Sequence, residues 1–188
     1  MLEDTVTRSA HSVRQPQDLL REAFSRHGLE APELNAVAAA ELPEPYRTLL
    51  VHDADMTSTL KRYHGGSLVL KRLHLEQGAD ALDREVVLCK ESSAKPVEYG
   101  VIRIMLAPFE PQAREAIVAG EKPLGQILDD FSVAYVSRPS EFFCIPSVPY
   151  LDELLADAGV ANRYGRVNTL TKPNGELLAK VLEILPGV

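Results

Sequence analysis

Three consecutive stretches, Leu68 to Leu75, Leu82 to Cys89 and Val97 to Leu106, are rich in Val, Ile and Leu at a period of two. Only short polar turns separate them, among them Gly78 to Asp80 and Ser92 to Lys95. Parallel neighbours need a crossover of about a dozen residues or more, so strands joined this tightly pair antiparallel. Helical spacing appears on either side. Gln17 to His27 places Leu19, Leu20, Ala23 and Phe24 on one face and closes at Gly28. Asp53 or Asp55 can cap a helix running through Met56, Leu60 and Tyr63 to Gly65-Gly66. Phe109 to Ala119, Leu124 to Leu128 and Tyr150 to Ala158 read as further helices, and Val133 to Val136 and Phe142 to Ile145 as strands. Arg166 to Leu170 and Glu176 to Leu185, joined at Lys172-Pro173-Asn174-Gly175, predict a terminal hairpin. The expected class is α+β, a single antiparallel sheet with helices packed against it. Residues 1–15 read as a polar N-terminal arm and 16–188 as one domain.

Several function classes are disfavoured. With 20 Lys+Arg against 27 Asp+Glu the formal charge is −7, and no basic face is apparent, so a nucleic-acid partner is not expected. Uncharged apolar stretches fall short of the ~18 to 20 residues that cross a bilayer, so no membrane partner is expected either. Acidic Glu3 and Asp4, with no apolar run after them, do not make a secretory signal, and Cys89 and Cys144 read as free thiols of a reducing, cytoplasmic compartment. His52, His64 and His74 share no metal-ligand spacing, so no metal site is assigned. No phosphate-binding glycine loop or nucleophile-elbow motif is present.

Parity along the strands picks out two charges. Arg84 heads a row with Val86 and Leu88, and Glu183 lies in a row with Leu177, Ala179, Val181 and Leu185. Unpaired buried charges cost several kcal/mol each, so such residues meet each other as a salt bridge, lie at strand ends and reach water, or serve an anionic ligand. Arg103 opposes the apolar row of Gly100, Ile102 and Ile104 and reads as a surface charge.

An ordered set of segments resembles the chorismate lyase family: Leu49-Leu50-Val51-His52-Asp53-Ala54-Asp55-Met56-Thr57, then Leu82-Asp83-Arg84-Glu85-Val86-Val87-Leu88, then Gly120-Glu121-Lys122-Pro123-Leu124-Gly125, and Leu182-Glu183-Ile184-Leu185-Pro186. The resemblance covers about residues 40–188 and implies a sheet with helical flaps over an internal ligand pocket. It implies a cofactor-independent carbon–oxygen lyase that converts chorismate to 4-hydroxybenzoate and pyruvate, in ubiquinone biosynthesis. On that basis Arg84 and Glu183 are the catalytic pair, Arg84 on the ring carboxylate and Glu183 facing the ring oxygen. Met56, Thr57, Leu124 and Gly125 bind substrate from the two flaps. Two departures stand out: extra length between Ser140 and Gly165, and about 40 residues before the first matching segment.

A different class shares the resemblance. The same fold is similar to the effector-binding domain of bacterial winged-helix repressors, so a non-catalytic sensor of aromatic acids is the alternative expectation. In that case the segment before the domain is too short and too poor in Lys and Arg to bind DNA, and a separate partner would be required.

Overall fold

The computed structural model describes residues 16–187, and the arm expected over 1–15 lies outside the described residues. In chain order the elements are α1 (Pro16–Arg26), β1 (Asn35–Ala36), a 3-10 turn (Ala39–Glu41), α2 (Tyr46–Leu50), α3 (Met56–His64), β2 (Leu68–Gln77), β3 (Ala81–Lys90), β4 (Pro96–Met105), α4 (Pro111–Ala119), α5 (Leu124–Asp130), β5 (Val136–Pro146), α6 (Pro149–Leu155), β6 (Asn162–Thr171) and β7 (Leu177–Ile184). The strands form one antiparallel sheet in the order β1-β5-β6-β7-β4-β3-β2, which confirms the α+β class.

Local chemistry sets the helix ends near the site. Asp55, rather than Asp53, caps α3: its Oδ1 accepts from the Ser58 amide at 2.8 Å, satisfying a donor the first turn leaves open. Gly65 ends the helix in the left-handed region, at φ 68°. The two short strands expected within 133–145 are instead one strand, β5, whose register shifts between Pro139 and Glu141. Proline has no amide to donate to the ladder, and β1 covers the far edge of β5 only at Phe143 and Cys144, so a shift at Pro139 is tolerated.

Helices cover both faces of the sheet, which explains why β3 is buried along nearly its whole length rather than alternating. On one face, Leu20 and Phe24 of α1 and Leu151 and Leu155 of α6 pack on Val87, Tyr99, Val101 and Leu182. The extra length between Ser140 and Gly165 supplies α6 here. This face also buries Glu85 completely. Its Oε1 accepts from Tyr99 at 2.8 Å and Tyr150 at 2.7 Å, and its Oε2 lies 3.3 Å from His27 Nε2. Burial and the Glu85 carboxylate push both tyrosine hydroxyls up.

The other face is covered from two ends. Leu50, Met56 and Leu60 of α2 and α3 pack on Leu68, Leu88 and Leu185, while Ala113, Ile117, Leu124 and Ile127 of α4 and α5 pack on Leu82, Ile102 and Ile104. Between these clusters the N-termini of α3 and α5 converge. Lys61 donates to Gln126 Oε1 across the gap at 2.8 Å. A Cβ on Gly125 would stand 2.7 Å from Asp55 Oδ1, so only glycine permits this approach. Arg103 is a partly exposed charge whose Nη1 donates to Asp83 Oδ2 at 2.8 Å across the β3–β4 pair. No described helix is long and apolar enough to cross a membrane.

Candidate functional site

Under the converging helix ends lies a half-open cavity of about 60 Å³. Its floor is the sheet: Arg84, Val86 and Leu88 of β3, Glu98, Gly100 and Ile102 of β4, Val181 and Glu183 of β7, and Asn168 and Leu170 of β6. Asp55, Met56 and Thr57 of the α3 end and Pro123, Leu124 and Gly125 of the α5 end form the roof. All six residues singled out from the sequence therefore line one hollow. Gly100 keeps the floor low, since a Cβ there would come within 3.3 Å of both Glu98 Oε1 and Val86 Cγ2.

Arg84 and Glu183 do not pair with each other. Register explains this. Arg84 lies opposite Ile102 and Glu183 opposite Gly100, so β4 stands between them, and strands two apart are separated by about 10 Å. Arg166, directly opposite Glu183 on β6, takes the carboxylate instead, with Nε to Oε2 at 2.5 Å. Completely buried, Arg166 also donates Nη1 to the Leu50 and His52 carbonyls at 3.0 and 3.1 Å and Nη2 to the Ala54 carbonyl at 3.3 Å. One guanidinium thus neutralises Glu183 and fixes the 50–54 segment that delivers Asp55 and Met56 to the roof. Burial and the charge of Arg166 push His52 down.

Arg84 is left without an acid among the described residues. It is 2% exposed, donates Nη1 to the Lys122 carbonyl at 3.0 Å, and has no partner for Nε. Burial, reinforced by the positive charge of Arg72, brings its pKa down to about 10.

Two further polar residues line the hollow. Asn168 exchanges hydrogen bonds with Ser137, Nδ2 donating to Oγ at 3.0 Å. Glu98, 4% exposed, has no partner for Oε2 among the described residues. Burial pushes its carboxyl well above the usual carboxylate range, and the charges of Glu183 and Asp55 add to the shift while Arg166 opposes it. Neither Glu98 nor Arg166 was singled out from the sequence. The same parity rule reaches Glu98, which shares a row with Gly100 and Ile102. Arg166 heads the hairpin in a stretch where no motif anchors the alignment.

No protein-family model matches the chain, and no curated protein matches it. Solved structures do. The structure of PhnF from Mycobacterium smegmatis is 12% identical, with a TM-score of 0.56 over 89% of this chain and 94% of that one. The effector domain of the same protein is 13% identical, with a TM-score of 0.54 over 71% and 88%. A weaker match, 11% identical with a TM-score of 0.48 over 63% and 85%, is the ligand-binding domain of a protein described as a GntR-family transcriptional regulator from Bordetella bronchiseptica. At such identities the likeness is one of fold, the chorismate lyase-like fold expected from the sequence. It shows the fold alone, and no match identifies the chorismate lyase family itself.

The expected enzyme is corrected. The solved structures whose fold the chain shares are those of PhnF and its effector domain, not of a lyase, so a carbon–oxygen lyase acting in ubiquinone biosynthesis is not supported. The site offers a physical reason as well. Glu183, expected in the catalytic pair facing the ring oxygen, is bonded to Arg166 instead of standing free over the hollow.

Proposed function

We propose that this chain is a non-catalytic binding domain for a small organic acid, whose carboxylate is held by Arg84. The observation that carries this reading is the buried guanidinium of Arg84, which lines the hollow and has no acidic partner among the described residues. A carboxylate there would complete a charge-assisted pair in a poorly solvated setting, where such pairs are strong. A monoanion suits the site better than a dianion, because Asp55 and Glu183 also line the hollow and would repel a second negative charge. The likeness in fold to the PhnF effector domain supports a binding role.

Size narrows the ligand. Benzene fills an engineered dry cavity of about 150 Å³. A compact acid of a few non-hydrogen atoms fits about 60 Å³, whereas an aromatic acid needs the ends of α3 and α5 to part or its ring to protrude. Titration calorimetry with acetate, glycolate, benzoate and 4-hydroxybenzoate tests the reading. Saturable binding of at least one acid is expected, lost in Arg84→Ala. No binding by any of the four, or equal binding by the variant, overturns it. Chorismate is expected to disappear no faster with the protein than without it.

A further inference from the structure

Arg84 accounts for one end of a bound acid and leaves Glu98 unexplained. Its carboxyl is almost completely buried, lies in the floor of the same hollow, and carries an oxygen that no donor or acceptor of the described residues meets. A buried polar group without a partner costs about 1 to 3 kcal/mol, and one that lines a binding cavity regains its partner when the ligand arrives.

We propose, building on the acid-binding reading, that Glu98 is the specificity residue of this site. It donates the proton of its buried carboxyl to an uncharged oxygen of the acid held by Arg84, so the domain selects hydroxy acids over their unsubstituted and amino counterparts.

The groups around Glu98 account for the proton. Glu183 on β7 and Asp55 at the head of α3 bring negative charge to it, and Arg166 on β6 offsets them only in part because Glu183 already holds Arg166. Arg84, on β3, belongs to the other end of the ligand. A neutral carboxyl is the form this surrounding favours, and it can donate where a carboxylate can only accept. At Glu98 itself an ammonium group in place of the ligand hydroxyl would meet a proton rather than a counter-charge.

The experiment compares glycolate with acetate and with glycine, and 4-hydroxybenzoate with benzoate, on the wild-type chain, Glu98→Gln and Glu98→Ala. In the wild type the hydroxy acid is expected to bind at least fivefold more tightly than its unsubstituted partner, and glycine more weakly than glycolate. Glu98→Gln keeps an amide donor and is expected to retain the preference, whereas Glu98→Ala loses it. Raising the pH should erode the preference in the wild type but not in Glu98→Gln. Equal binding of hydroxy and unsubstituted acids by the wild type, tighter binding of glycine, or the same pH profile in Glu98→Gln overturns the role of Glu98. If the acids still bind in an Arg84-dependent manner, the acid-binding reading survives that result. If none binds, both readings fall.

Discussion

Arg166 Nε and Glu183 Oε2 are cross-strand partners joined at 2.5 Å, and the same guanidinium reaches three backbone carbonyls between Leu50 and Ala54. A pair so placed is both a counter-charge for the cavity floor and the anchor of its roof. Arg166→Ala would strand a buried carboxylate and release the carbonyls together, so a loss of about 3 to 5 kcal/mol is expected by guanidinium chloride denaturation. A loss below about 1 kcal/mol would mean that the pair is not holding the loop.

Arg84 should behave in the opposite way. Its hydrogen-bond partner among the described residues is the Lys122 carbonyl, and an unpaired buried cation opposes folding. Arg84→Met, similar in length and apolar, is expected to leave the ligand-free protein as stable as the wild type or up to about 2 kcal/mol more stable, while acid binding disappears. Thermal unfolding with and without ligand checks both parts. Clear destabilisation of the free protein would make Arg84 a structural residue.

Filling the hollow is a separate test. Gly100→Val projects into it within 3.3 Å of Glu98 Oε1 and Val86 Cγ2. Overpacking of this kind costs about 1 to 3 kcal/mol. Because valine suits a strand, the sheet is expected to survive, as read by circular dichroism, with acid affinity reduced more than tenfold. Undiminished affinity would place the ligand elsewhere.

Proton linkage should show Glu98 even without ligand. Its carboxyl is pushed up in the folded chain, so folded molecules hold a proton that unfolded ones release once the pH exceeds the ordinary carboxylate range. Stability from this group is therefore complete at low pH and is lost as the pH rises toward the folded value, at up to about 1.4 kcal/mol per pH unit. The stability difference between wild type and Glu98→Gln should fall across that window. A difference that does not change with pH would rule out the buried proton.

Much of this arrangement is legible in the chain. The apolar runs and tight turns of 68–106 impose antiparallel pairing, Asp55 and Gly65 mark the two ends of α3, and a period of two puts Arg84 in line with Val86 and Leu88. Parity reaches Glu98 by the same rule, although the eye goes first to the apolar residues around it. The single long β5 was obscured because Pro139 breaks the pattern in the middle of a continuous strand.

The order of residues therefore determined which side chains face inward, because alternation along a strand is a local property. Which inward charges meet was decided only by tertiary structure. Strand order brought Arg166 beside Glu183 and interposed β4 between Glu183 and Arg84, and the few ångströms separating adjacent from next-nearest strands divide an ion pair from a vacant guanidinium.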